Sequence, residues 1–507
     1  MPRVVSLFLP GWPIDRLRRA LGAAAPPPDR RLVLVGKEGS RRIVTAVSKP
    51  AEQAGLRVGM ALAKAHALLP DVETMPADPA ADAAALQRLA LWALQHYAPI
   101  VAPDPPDGLV IDTTGADHLH GGEERMLTGL VNRLAASGIF ARAAIADSWG
   151  AAYAAARFLA DPVCVIPPGA SAETVAALPI PGLRISPETV TGLHVLGFTT
   201  IGDVLAVPRA PLVLRFGPLL GRRLDQLHGT ISEPVDPLRD PELATVRKVF
   251  GEPIGAPETI ARYTASLVRD LCQALEKRGL GARRLDLLFH RVDNSLQAIR
   301  VGTARAVRDE ERLVRLLHDR IETIDPGFGI EIMDLTATLA EPLVLQQAVS
   351  SLIEEETADI AGLLDVIANR IGARRLYRLA PVESDVPERS FHRIEPLASD
   401  DGATWQDRWP RPARLLARPE PIEVMALLPD HPPASFTWRG VRRLVKRADG
   451  PERIFGEWWK RDAELAAVRD YFQVEDAGGE RFWLFRSGGE AEAASGLGRW
   501  FLHGIFA

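Results

Sequence analysis

The stretch Asp104-Pro-Pro-Asp107-Gly108-Leu109-Val110-Ile111-Asp112-Thr113-Thr114-Gly115 holds the residues best suited to chemistry in this chain. Leu109, Val110 and Ile111 form a short apolar run between turn residues and a polar exit. That is the pattern of a buried strand with an acidic residue at each mouth. Carboxylates held on strand ends bind Mg²⁺ and leave coordination positions for water and substrate phosphates, as two-metal phosphoryl transfer requires. Asp107 and Asp112 are the pair to test against that chemistry. The plainer reading makes Asp104 and Asp107 loop residues and Asp112 the cap of a turn.

Other chemistry-bearing patterns are weaker. His118-Leu-His120 has the spacing of some metal-binding pairs, but no Cys or third His lies near it and Gly121-Gly122 follows, so it reads as a turn. No Gly-x-x-x-x-Gly-Lys-Ser/Thr occurs, which argues against a P-loop ATPase. The two cysteines, Cys164 and Cys272, are far apart, so neither a disulfide framework nor a Cys-based zinc site is expected, and a reducing, cytoplasmic setting fits. The start, Met1-Pro-Arg-Val-Val-Ser-Leu-Phe-Leu-Pro, lacks the features of a signal peptide, and no apolar run is long enough to span a bilayer.

The elements that must position the acidic residues follow from periodicity. At 507 residues, with 47% hydrophobic and 25% charged residues, the chain is a multidomain globular protein. Its net charge of −5 is no footprint of a nucleic-acid binder, although local Arg-rich faces remain open to phosphates. Strands are expected at Val4–Leu9, Leu32–Val35, Ile43–Val47 and Ala141–Ala146, with helices at Ala61–Leu69, Ala80–Tyr97, Glu124–Ser137 and Trp149–Leu159, an α/β layer. Short helices with Gly turns occupy Leu178–Gly229. Gly197 ends one of them, and with Thr199 and Thr200 it can offer backbone N–H groups to a phosphate, or simply form a helical hairpin. Residues 246–341 read as a β-α-β-β-α-β unit, an open sheet with two helices on one face. Its Arg283, Arg284, Arg291, Arg300 and Arg305 form either a phosphate-tracking face or a solvated surface. Seven of the ten tryptophans follow residue 400, among short antiparallel strands, the core of a small β-domain, with adjacent Trp458-Trp459 offering one ring to a partner or base.

This order of parts resembles the Y-family translesion DNA polymerases. Leu109–Gly115 resembles the strand after that family's Ser-Ile-Asp-Glu motif, Ile43–Met60 its fingers, and Leu196–Asp203 with Leu214-Arg-Phe-Gly217 its thumb. The resemblance implies an α+β multidomain fold. Palm would span residues 1–28 and 76–170, fingers 29–75, a helix-hairpin-helix thumb 171–240, little finger 241–345, a linker 346–410, and a β-rich, Trp-containing region 411–507. Where active members carry an Asp on the first strand, the aligned positions are Ser6 and Phe8. The Asp-Glu pair becomes Asp107-Gly108, and the fingers' Tyr-x-x-Arg falls on Lys49-Pro-Ala-Glu52, whose acidic end would repel a triphosphate. One carboxylate cannot hold two Mg²⁺ ions. No catalytic residue, metal or cofactor is therefore expected.

A polymerase-like body with such a site and a Trp-rich tail resembles the ImuB family of the bacterial mutasome. Arg411-Pro-Ala-Arg-Leu-Leu-Ala-Arg-Pro-Glu-Pro-Ile, Glu457-Trp-Trp, Arg469-Asp-Tyr-Phe and Trp500-Phe-Leu-His-Gly-Ile-Phe-Ala carry that likeness. It implies an SOS-induced adapter with four partners: damaged primer-template DNA, the β sliding clamp, the RecA-like ImuA, and an error-prone C-family polymerase. The clamp would take a peptide at Gln347, Leu352 and Ile353, which departs from the usual pattern by one residue of spacing and by Ile in place of an aromatic. The stretch equally suits a plain lead-in to a Glu354–Ile371 helix. The competing function is an active translesion polymerase using Asp107, Asp112 and a third carboxylate such as Asp15.

Overall fold

Val4–Phe8 is the strand on which the first half of the molecule is built. It pairs antiparallel with Gly108–Asp112 on one side and Arg142–Ala146 on the other, and Ile100–Asp104 and Val163–Val165 complete a five-stranded sheet. Val5 and Leu7 point to one face, where they pack with the helices Pro79–His96 and Glu123–Ala136. The opposite face carries Ser6 and Phe8 and is covered by the Ala-rich helix Trp149–Phe158, whose small side chains let it lie close to the strands. These ranges come from a computed structural model that describes residues 2–114, 121–343, 360–399, 411–426, 431–457, 468–487 and 499–506. Its contacts divide the chain into two units, Met1–Arg375 and Leu376–Ala507.

Within the first unit, a three-stranded sheet of Arg41–Val47, Leu32–Glu38 and Glu73–Pro76 has its own small core. Helices Ser171–Ala176 through Pro218–His228 pack on the Ala-rich helix. The β-α-β-β-α-β unit is present as read. Ala244–Ile254, Pro257–Lys277, Leu280–Arg291, Leu296–Val307, Glu310–Ile321 and Ile330–Pro342 make a four-stranded antiparallel sheet with both helices in one core. The predicted Glu354–Ile371 helix is observed as Ala361–Ile371, and residues 344–359 lie outside the described residues.

That helix closes the sheet. Leu296–Val307 is an edge strand, whose unpaired backbone groups invite another chain. The Asn369 amide donates to the Gly302 carbonyl at 2.7 Å and accepts from the Gly302 N–H at 2.8 Å, while Asp365 accepts from the Ala304 N–H at 2.6 Å. Asp365 is fully buried and paired with Arg312 at 2.5 Å.

In the second unit, seven strands run in the order Arg414–Pro421, Arg499–Ile505, Arg481–Ser487, Val468–Asp476, Val441–Phe455, Ser435–Trp438 and Glu423–Met425. The first and last are joined in the chain through Ile422, so the sheet curls round into a half-barrel. Alternation sorts the aromatics. Phe472, Phe482 and Phe436 fill the inside with Trp438 and Trp500, and Tyr471, Trp483 and Phe485 form a second cluster on the outside. Among the described tryptophans of the tail the core reading holds; Trp405, Trp409, Trp458 and Trp459 lie outside the described residues. On the outer cluster, buried His503 accepts from or donates to the Tyr471 hydroxyl at 2.7 Å, and Arg469 joins Glu388 to the group at 2.7 Å. Burial holds the His503 pKa down at about 4, against the pull of Glu388.

Two stability effects follow. Asp365→Ala leaves the half-buried Arg312 guanidinium and the Ala304 N–H without this partner, and should cost about 3–5 kcal/mol in urea unfolding of the full chain. Folded His503 titrates below the unfolded value of about 6.5. Its contribution is thus complete above that pH and is lost as pH falls toward about 4. Near-UV circular dichroism of the stacked Tyr471–Trp483 pair should report acid loosening across that window, and His503→Phe should flatten it.

Candidate functional site

The strand Ile100–Asp104 turns through Pro105, Pro106 and Asp107 into Gly108–Asp112, and Gly108 pairs with Phe8. Phe8, Asp104, Asp107 and Gly108 therefore meet at one end of the sheet. Asp112 sits at the other end, between Val4 and Ile100. At ~3.3 Å per residue the Asp107 and Asp112 carboxylates are roughly 15 Å apart along the strand, whereas paired catalytic metals sit about 4 Å from each other. The idea that both serve one site is corrected accordingly. Asp112 instead accepts from the Thr114 N–H at 3.0 Å and its hydroxyl at 2.6 Å, the turn cap of the plainer reading. Asp15 is on the helix Trp12–Leu21 and caps the Phe140 N–H at 3.1 Å.

The group facing Asp107 is a cation of the chain itself. Arg157 donates to Asp107 at 2.7 Å and lies 3.9 Å from Asp104. Its guanidinium is stacked 3.5 Å from the Tyr153 ring centroid and 4.6 Å from that of Phe8. Trp149, Tyr153 and Arg157 recur every four residues, so they share one face of the Trp149–Phe158 helix. Beyond Tyr153 lies Arg184, 5.3 Å from that ring and 4.5 Å from the Trp149 ring. Arg184 is held by Glu233, which also takes Arg223 at 2.5 Å. A ladder of alternating rings and guanidinium groups thus runs from Phe8 to Trp149, with carboxylates on its cations. Burial raises the pKa of Asp104 and Asp107, although Arg157 pulls both the other way.

The residues at this hairpin do not fit the metal pair that the polymerase resemblance implies. Ser6 is fully buried with no hydrogen-bond partner for its hydroxyl among the described residues, and Phe8 offers a ring, not an oxygen. At Gly108 a Cβ would stand 2.8 Å from the Leu7 carbonyl oxygen and 3.5 Å from Arg157, so a longer side chain has no room as the strands stand. Among the described residues no group of three or more His, Cys, Asp or Glu is gathered to hold a metal.

The other expected site residues are dispersed. Lys49 and Glu52 are exposed on the short helix Lys49–Gln53, with the Lys49 ammonium 5.9 Å from the Phe140 ring. Gly197, at φ +87°, makes the turn between Pro187–Val195 and Ile201–Leu205. The N–H groups of Thr199 and Thr200 are already taken by Asp203, at 2.9 and 2.8 Å, in a capping box that holds the Asp203 pKa at about 2. These two amides are therefore not free phosphate donors. The arginines Arg283, Arg291 and Arg300 depart from a solvent-facing strip as well. Arg283 meets Thr303 and Glu341, Arg291 meets Asp293 at 3.0 Å, and Arg300 forks onto buried Asp286 at 2.7 and 2.6 Å. Arg300 also donates to the Leu94 carbonyl at 2.6 Å, fastening this sheet to the palm-like layer. Of the five, exposed Arg305 has no hydrogen-bond or ion-pair partner for its guanidinium among the described residues, and neither has Arg284. Arg284 lines a cavity of about 1410 Å³ with Tyr97, Asp112, Arg133 and Arg374, and burial, then Arg300, lowers its pKa. Gln347, Leu352 and Ile353, like His118 and His120, lie outside the described residues. Arg157, Tyr153 and Arg184 were not anticipated, although one arginine with aromatics at four-residue spacing in an Ala-rich helix was a readable signal.

Among known proteins, it is a relative of high identity and full coverage that shows the family. The model of the impB/mucB/samB family matches residues 26–157. The chain is 45% identical over 462 residues to protein ImuB of Caulobacter vibrioides (strain NA1000 / CB15N), covering 89% of this chain and 100% of that one. DNA polymerase IV of Dehalococcoides mccartyi (strain CBDB1) is 26% identical over 52% of this chain and 68% of its own. The crystal structure of DinB from Sulfolobus solfataricus matches 66% of this chain and 98% of its own, at 15% identity and a TM-score of 0.39.

The crowding at Gly108 gives a direct test. Gly→Ala in a strand ordinarily stabilises, but Gly108→Ala should here destabilise the full chain by about 1–3 kcal/mol through the Leu7 contact, read from urea unfolding.

Proposed function

The chain belongs to the ImuB family of Y-family DNA polymerase-like proteins, and we propose that it is a polymerase-shaped adapter which makes no phosphodiester bonds itself. It serves SOS-induced damage tolerance and mutagenesis in the cytoplasm. In this reading the thumb-like and little-finger-like parts hold primer-template DNA. The β sliding clamp is met through Gln347, Leu352 and Ile353, and the C-terminal region recruits ImuA and an error-prone C-family polymerase that performs synthesis.

The observation that supports the adapter reading is the hairpin end of the palm-like sheet. Two-metal phosphoryl transfer needs several carboxylates around a pair of divalent ions. Here the two carboxylates at that end face Arg157, the strand positions beside them are Phe8 and Gly108, and Ser6 lies two residues further in, opposite Val110. Electrostatic attraction to DNA would come from groups such as Arg284 and Arg305, and its signature is loss of affinity with rising salt.

Primer extension by the full chain, with Mg²⁺ or Mn²⁺ and all four nucleotides, tests this. The expected result is no extension, together with fluorescence anisotropy that reports salt-dependent binding of primer-template DNA. Extension that Asp107→Ala abolishes would make the protein an active translesion polymerase and end the adapter reading.

A further inference from the structure

We infer that Arg157 is the resident cation of the palm hairpin: its guanidinium stands between the turn carboxylates, where the polymerase resemblance implies a divalent ion. The inference rests on the adapter reading and adds what replaces the metal.

The geometry supports a substitution of one cation for another, beyond a mere loss of ligands. Arg157 reaches Asp107 at 2.7 Å and stays within 3.9 Å of Asp104, so both carboxylates at this end share one positive charge. Phe8, on the central strand, is not an idle replacement. Its ring forms one wall of the slot and Tyr153 the other, at 4.6 and 3.5 Å from the guanidinium centre. A planar, weakly hydrated guanidinium suits such a slot between rings, whereas a compact Mg²⁺ holds its waters and demands oxygen ligands. Gly108 completes the fit, because a Cβ there would come 3.5 Å from the Arg157 terminal nitrogen and 2.8 Å from the Leu7 carbonyl. Ring, glycine and arginine thus suit one another, and restoring an acidic side chain at a single position leaves the arginine in place.

Two partly desolvated carboxylates that lose the cation they share repel each other and resist ionisation, with Arg184 left to act on Asp104 and Glu233 opposing it. Carboxylates with raised pKa give stability that is present at low pH and lost as pH rises through the folded value. In Arg157→Leu, which keeps apolar contact with both rings, the drop in melting temperature relative to wild type should therefore grow by several degrees between about pH 4 and about pH 7. Arg157→Lys should remove most of that growth, and so should Asp107→Asn placed in the Arg157→Leu background. A ring-packing role alone would give a drop that stays constant with pH, which would overturn the inference. Millimolar Mn²⁺ should leave the wild-type melt unchanged; a Mn²⁺-dependent rise that Asp107→Asn abolishes would also overturn it. These melts use protein without nucleic acid, so they fail or succeed independently of the primer-extension assay.

Discussion

A guanidinium clasped by two aromatic rings and two acidic side chains is the constraint around which the first unit is arranged. Asp104 and Asp107 flank a tight turn and are partly withdrawn from water, so their charges call for compensation on the spot. Arg157 can supply it only if the Trp149–Phe158 helix lies flat on the sheet, and its run of buried alanines permits that approach. The same helix face carries Tyr153 and Trp149, which pass the stacking on to Arg184 and so to Glu233. Glu233 belongs to the stretch that leaves the last thumb-like helix and crosses the sheet, where Leu238 donates to the Val101 carbonyl at 2.7 Å. One chain of cation, ring and carboxylate contacts therefore fixes the hairpin, the helix and the connection to the next sheet.

The remaining charged residues follow the same economy. Arg3, at the start of the central strand, forks onto Glu123 and reaches Asp147 and the Ile166 carbonyl. Arg247 takes Asp334 bidentately while His290 shares the same carboxylate at 3.0 Å, which holds the Asp334 pKa at about 2. Pairs of this kind contribute little net stability compared with apolar packing, but breaking one is costly, so they specify which strand lies beside which.

Periodicity made much of this fold legible. The helix Pro257–Lys277 falls where the β-α-β-β-α-β reading puts its first helix, with proline opening its first turn and lysine ending its last. The helix Trp12–Leu21 was hidden for a related reason: Pro10, Gly11 and Pro13 look like interruptions, yet proline near a helix start is a beginning. Val441–Phe455 is a strand the sequence did not suggest, because its charged residues break the apolar alternation expected of one. At the site, sequence identified Ser6, Phe8, Asp107 and Gly108 as one neighbourhood, and the strand register brings Phe8 to Gly108. It could not supply Arg157, which is far from Asp107 in sequence and whose role exists only once helix and turn are brought together. The arginines of the second sheet show the converse limit. Their type suggests phosphate, and sequence alone does not show that Arg283, Arg291 and Arg300 have carboxylates and carbonyls beside them.

The Asn369 amide gives Gly302 one donor and one acceptor, which is what a neighbouring strand would have given. A helix thus impersonates a single rung of a ladder, and the sheet ends there by imitation instead of by exhaustion. Any segment that would lengthen the sheet must compete with an incumbent tethered to the same chain, whose effective concentration at the edge no free competitor readily matches. Growth of the sheet by a stranger is therefore a contest of tethers more than of hydrogen bonds, and it favours a segment attached to this chain or held beside it by some other contact.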